Sequence, residues 1–140
     1  MGIEPFLLCS SVLAIVGQRL LRKLCPTCKE SYVLSKEVTA KLGLQKLSTK
    51  GDIQLFKAKG CKNCFNTGYS GRVGITEILV LTHKVKELIL SRVGEYKIKD
   101  IGRREGMTTM RQDGLSKAVS GLTSLEEVIR VTAPDETIEE

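Results

Sequence analysis

Apolar positions crowd the start of the chain and thin out after it. Phe6, Leu7, Leu8, Val12, Leu13, Ile15 and Val16 follow one another closely enough to predict a helix buried on most of its circumference. Pro5 suits the first helical turn, and Glu4 lies where the helix dipole favours an anion. From Gln18 the pattern predicts that the same helix turns amphipathic, with Leu20, Leu21 and Leu24 set among Arg19, Arg22 and Lys23. Ser35 to Gly43 predicts a short helix with Ser35 as N-cap, Val38 and Leu42 inward and Gly43 as stop. After the polar turn Lys50-Gly51-Asp52, the alternation of Ile53, Leu55 and Phe56 predicts a strand. Glycines 68, 71 and 74 mark turns before a β-rich, apolar run from Val73 to Leu81. The opening helix needs a large apolar partner, and a buried strand needs a sheet. The pattern offers little of either, so both features imply that part of a larger domain is missing.

Beyond Leu81 the pattern is helical. Thr82 opens a helix with Val85, Leu88 and Ile89 on one face, and Tyr96 to Arg104 carries Ile98 and Ile101 before Gly106 stops it. Thr109-Met110-Arg111-Gln112 and Thr123-Ser124-Leu125-Glu126 read as capping boxes. The first precedes Leu115, Ala118 and Val119 with Gly121 as terminator; the second precedes Leu125, Val128 and Ile129 as inward positions. Four short helices should form a small bundle. Pro134 ends the last of them, and Asp135 to Glu140 reads as an acidic, frayed tail.

The candidate chemistry lies in the middle. Cys25-Pro26-Thr27-Cys28 and Cys61-Lys62-Asn63-Cys64 are two Cys-x-x-Cys turns separated by 32 residues. Each turn brings two thiolates to one point, and two turns supply the four sulfurs of a tetrahedral zinc site, at about 2.3 Å per bond. The spacer exceeds the roughly 15–20 residues usual between such pairs, which implies a small subdomain there rather than a bare loop. Four sulfurs leave no open position for water, so Cys25, Cys28, Cys61 and Cys64 read as ligands of a structural metal. Cys9, the odd cysteine, reads as a small buried hydrophobe.

Charge refines this picture only slightly. A net charge of +6 permits contact with nucleic acid, anionic lipid or an acidic partner without choosing among them. Lys29, Lys57, Lys59 and Lys62 flank the two turns, where they either offset a negative Zn–S₄ centre or are plain solvated surface. The apolar run from Pro5 to Val16 is too short for a bilayer span and has its cations behind it, unlike a leader peptide. A reducing, cytosolic setting follows, in which paired cysteines bind metal or do redox work. There is no G-x-x-x-x-G-K-[ST] phosphate loop, and His83 stands alone as a surface histidine. No catalytic set and no nucleotide-binding residue emerge. Gln18 and Arg19 sit at the polar edge of the first predicted helix without an assigned contact. Two alternatives share the cysteine pattern: a free-standing zinc ribbon that binds nucleic acid, and a dithiol redox protein.

The segments Gln18 to Cys28 and Gly60 to Leu79 resemble the tetracysteine region of the type II secretion and type IV pilus assembly ATPases. Glu105 to Met110, Asp113-Gly114 and Gly121 to Val128 are similar to the C-terminal helices of the same family. The resemblance implies an α+β chain: the edge of a RecA-like P-loop domain, a zinc-binding tetracysteine subdomain and a C-terminal helical bundle. Residues 1–24 would then end a truncated RecA-like domain, 25–64 form the zinc subdomain, and 65–81 return a strand to the ATPase sheet. Residues 82–133 would be the helical subdomain and 134–140 a disordered tail. The resemblance also implies a homo-hexameric motor on the cytoplasmic face of a bacterial inner membrane. Its expected partners are the membrane platform and cytoplasmic adaptor proteins, with no specific nucleic acid. ATP and Mg²⁺ would be used only by the complete protein, because this chain lacks the Walker A segment.

Overall fold

The computed structural model describes residues 2–42, 44 and 53–135. It is a mixture of helix and strand, in the order α1 (Pro5–Ser11), β1 (Ala14–Leu24), β2 (Glu30–Leu34), α2 (Lys36–Lys41), β3 (Ile53–Lys57), a 3₁₀ turn (Lys62–Cys64), β4 (Tyr69–Val80), α3 (His83–Leu90), α4 (Glu95–Arg104), α5 (Met110–Val119) and α6 (Leu125–Val131). Gly43, the turn at 50–52 and most of the acidic tail lie outside the described residues. No helix among the described residues is long and apolar enough to cross a membrane.

The largest correction concerns the start. The helix expected to run to Leu24 ends at Ser11, and Val12 already has extended backbone. Val12, Ile15 and Val16 are β-branched and Gly17 favours neither helix nor strand, so little holds a helix together beyond Ser11. The strand finds a partner instead: β1 pairs with β4 in a two-stranded sheet. Leu81 N–H donates to the Leu13 carbonyl at one end, and Cys25 N–H to the Gly68 carbonyl at the other, both at 2.9 Å. The burial expected for this segment is absent too, since Phe6, Ile15 and Val16 are exposed and Leu13 is 82% exposed.

The chain forms two compact units, Met1–Gln18 with Thr76–Thr109, and Arg19–Ile75 with Met110–Glu140. In the first unit α1 packs on α3 and α3 on α4. Among the described residues its buried apolar side chains are few: Cys9, Leu81 and Val85, with Thr109 as a buried polar one. Thr82 caps α3 as expected, accepting from Val85 N–H, and its hydroxyl donates to Glu105 at 2.6 Å. Cys9 is indeed a buried small residue, and His83 is exposed with Glu87 3.3 Å away.

The second unit has a fuller core. Leu21, Leu44, Ile53, Leu55, Ile75, Leu115, Ala118 and Val128 are buried together, with Tyr32, Leu34, Leu42 and Leu125 packed around them. β2, unforeseen in the pattern, pairs antiparallel with β3 in the register Glu30↔Lys57, Tyr32↔Leu55, Leu34↔Ile53. Tyr32 and Leu34 thus meet Leu55 and Ile53 on the core face, while Val33 points to solvent. Ser35 caps α2, its hydroxyl accepting from Val38 N–H. Thr39 is the buried residue of that helix, and the expected inward Val38 is exposed.

The α5–α6 pair closes over this core. Ser124, not Thr123, caps α6 by accepting from Glu127 N–H, so the capping box is displaced by one residue. The displacement frees the Thr123 hydroxyl to donate to the Arg22 carbonyl at 2.8 Å. It also places Val128 inward and leaves Ile129 exposed. Glu127 is only 1% exposed and holds two guanidiniums, Arg22 at 2.6 Å and Arg130 at 2.8 Å. The Arg22 backbone N–H reaches its other oxygen at 3.0 Å. Burial alone would raise the Glu127 carboxyl, but Arg130 and Arg22 outweigh it and hold the group down at about 2.

Two predictions follow from this packing. A Cβ added at Gly114 would come within 2.9 Å of Val128 Cγ1, where the α5–α6 pair has no slack. Gly114→Ala should therefore lower the unfolding free energy by about 1–3 kcal/mol in urea titrations. Because the folded-state Glu127 lies at about 2, below its ordinary 4.5, its contribution is complete above pH 4.5 and is lost as pH falls towards 2. Wild type should exceed Glu127→Gln in stability at pH 7, by on the order of 2 kcal/mol once water around the half-exposed guanidiniums is allowed for. Urea titrations should show that margin kept at pH 5 and shrunken at pH 3.

Candidate metal centre

The spacer between the two cysteine turns is a folded unit, and its ladder explains how the turns meet. Glu30, the second residue after Cys28, pairs with Lys57, four residues before Cys61. An antiparallel pair returns the chain to its starting point, so each cysteine turn emerges from the same end of the ladder. The second turn is a 3₁₀ turn over Lys62–Cys64, capped by a left-handed Phe65 at φ 52°. Gly68, at φ +76°, follows it, and a Cβ there would lie 2.6 Å from the Ala58 Cβ. Only glycine lets the two arms of this loop approach so closely.

All four sulfurs converge. The Sγ atoms of Cys25, Cys28, Cys61 and Cys64 lie within 4.8 Å of one another. Cys25 is 3.9 Å from Cys61, Cys28 is 3.8 Å from Cys64, and Cys61 is 3.7 Å from Cys64. Four bonds of about 2.3 Å to one tetrahedral ion separate their sulfurs by about 3.8 Å. The thiols are thus free, too far apart to be disulfides, and spaced as ligands of one ion. The donor set fits zinc, a borderline-soft cation that takes thiolate readily.

The surroundings favour ionisation at two of these groups. Cys64 accepts from the backbone N–H of Cys61 and of Gly68, each at 3.2 Å. Burial opposes ionisation there, but these donors outweigh it and bring Cys64 down to about 6. Cys25 is also lowered, chiefly by the Thr27 backbone. Cys28 goes the other way, pushed up to about 12 by burial. A divalent cation would resolve that contrast, because thiols deprotonate on coordination.

Three of the flanking lysines have local partners. Lys59 pairs with Glu30 at 2.6 Å and Lys57 reaches the same carboxylate at 3.9 Å. Lys29 donates to the Gly121 carbonyl at 2.8 Å and lies over the Phe56 ring at 4.6 Å. Gly121 has φ +74°, and a Cβ there would press on that ring at 2.9 Å. Arg19, which had no assigned contact, donates to the Val131 carbonyl. Arg22 stacks over Tyr69 at 4.2 Å, and the Tyr69 hydroxyl bonds the Ser124 hydroxyl at 2.9 Å. The pattern gave no reason to single out Arg22, Tyr69 or Glu127. The one available signal was a second box-like spacing, Ser124 to Glu127, lying one residue beyond the chosen one.

The chain is similar to known proteins along nearly its whole length. A family profile described as "Type II/IV secretion system protein" matches residues 1–130. The chain is 47% identical over 133 residues to the type II secretion system ATPase E of Vibrio cholerae, and 43% over 135 to the type II secretion system protein E of Aeromonas hydrophila. It is 40% identical over 132 residues to the type IV pilus assembly ATPase PilB of Thermus thermophilus. The matches cover 94–96% of this chain but only 15–26% of those relatives. This chain belongs to the type II/IV secretion system protein family.

Proposed function

We propose that this chain is the zinc-binding and coupling region, from the C-terminal part, of a hexameric motor ATPase that drives type II protein secretion or type IV pilus assembly. The observation that carries the metal reading is the sulfur spacing of 3.7–3.9 Å, drawn from two turns far apart in sequence. Cys25, Cys28, Cys61 and Cys64 would hold the ion. A fourfold thiolate site supplies a cross-link rather than a reactive water.

The RecA-like reading of β1 and β4 is supported by their length and their apolar exposure. Ile15, Val16, Ile78 and Val80 stand on paired strands without enough chain around them to bury them. A further sheet and its helices would do so. On this reading the ATP and Mg²⁺ sites belong to the complete protein, which works at the cytoplasmic face of the inner membrane. The membrane platform and adaptor proteins of the machine are its partners. The alternatives gain less support. The close contacts Cys25–Cys61 and Cys28–Cys64 run between the turns, as one four-sulfur site requires, whereas a dithiol enzyme would use one turn alone. Of the rings that could stack on bases, Tyr69 is engaged by Arg22 and Phe56 by Lys29, Tyr32 packs against the core, and Phe65 alone of the four stands exposed.

Elemental analysis of the purified chain should find about one zinc per chain, and a thiol titration should gain four groups when a chelator is added. Cys25→Ser/Cys28→Ser should bind no zinc and lose the β2–β3 ladder, since such a site contributes on the order of 10 kcal/mol to folding. No zinc, with one reactive thiol pair, would overturn the metal reading. The 140 residues alone should hydrolyse no ATP. Turnover above that of the double-serine variant would contradict the assignment of catalysis to residues outside this chain.

A further inference from the structure

The residues that flank the four cysteines hold one short segment, Gly121 to Glu127, and they hold it from several sides. Leu24 N–H, next to Cys25, donates to the Leu122 carbonyl at 2.9 Å. Lys29, next to Cys28, donates to the Gly121 carbonyl at 2.8 Å. The Arg22 carbonyl accepts from Thr123, while its backbone N–H and guanidinium both bond Glu127. Tyr69, five residues after Cys64, reaches the Ser124 hydroxyl, which is itself the N-cap of α6. Arg22 stacks on Tyr69, so Arg22, Glu127, Ser124 and Tyr69 form a closed ring.

Each of these grips depends on where a cysteine turn is held. The 22–29 arm carries the first sulfur pair and the 61–69 arm the second, and the bond from Cys25 N–H to the Gly68 carbonyl joins them. A metal ion fixes both arms at once. Without it, the arms keep the β1–β4 and β2–β3 pairings and the Cys25–Gly68 bond, but the two turns lose their shared fixed point, and the α6 cap loses the alignment of its partners.

We infer that the four-cysteine site is a clamp on α6: metal occupancy at Cys25, Cys28, Cys61 and Cys64 sets the order of the helix that begins after Ser124. This rests on the metal reading above and adds a direction to it. The ion's effect is delivered through Arg22, Lys29 and Tyr69 to the C-terminal helix pair, so that metal loss releases α6 as well as the turns. In a motor subunit that would make the metal a condition for presenting the α6 surface.

Amide hydrogen exchange of the zinc-loaded chain tests this. The readout is the α6 amides from Val128 to Val131, with Leu55 in β3 as an internal reference. Arg22→Gln removes the guanidinium from the ring and touches no cysteine. With about one zinc per chain retained, it should speed α6 exchange at least tenfold and leave Leu55 unchanged. Chelation of the wild type should speed α6 exchange at least as much, and restored zinc should reverse it. Unchanged α6 exchange in zinc-loaded Arg22→Gln would overturn the clamp, as would wild type that loses its zinc and keeps α6 protected. A chain that takes up no zinc would overturn the metal reading itself and the clamp with it, an outcome the metal analysis identifies separately.

Discussion

Four sulfur atoms from two turns 32 residues apart lie within 4.8 Å of one another, and the second unit is built around that approach. An open loop would bring the turns together only at an entropic cost that grows with its length. The chain instead folds the spacer, pairing Glu30 with Lys57 so that the ladder itself carries the two turns to the same place. Register is therefore part of the site. A slip of one residue would turn Tyr32 and Leu34 away from Leu55 and Ile53 and would also displace Cys28 against Cys61. The core and the sulfur cluster thus select the same alignment for different reasons.

The buried carboxylate of Glu127 is best understood beside that alignment. A buried ion pair is weak evidence of stability, because desolvation consumes much of its Coulomb energy. Its value here lies in specificity. Glu127 has two guanidiniums and a backbone N–H to satisfy it, and only one placement of α6 provides all three. The ring through Ser124 and Tyr69 then ties the helix start to the loop that follows the second cysteine pair.

Much of this was legible in the sequence because it rests on local rules. Ser35, Thr82 and the glycines at 106 and 121 marked helix ends through backbone chemistry that needs no tertiary partner. The cysteines were legible as a set because ligand type and spacing are written in the chain. What failed was non-local. Val12 to Leu24 has apolar residues dense enough for a buried helix, and periodicity cannot separate that from a strand; the partner, β4, lies some fifty residues later. β2 was missed for a related reason, since Glu30-Ser31-Tyr32-Val33-Leu34 is a weak strand until Ile53 to Lys57 lies beside it. The one-residue error at Ser124 had a tertiary cause too. Thr123 is as good a cap as Ser124 by sequence, but its hydroxyl is taken by the Arg22 carbonyl.

The two units obey different rules of stability. The second buries a set of aliphatic side chains and, with a metal at its four sulfurs, has what a domain of its size needs: a core and a cross-link. Among its described residues the first buries only Cys9, Leu81 and Val85 as apolar side chains, and it exposes Phe6, Leu13, Val16 and Val80. Exposed apolar surface of that extent marks a surface made to be covered. β1 and β4 run through both units, so the same two strands that lead into the cysteine turns also carry the uncovered apolar positions. Covering that surface would therefore fix one end of each strand, while the sulfurs fix the other.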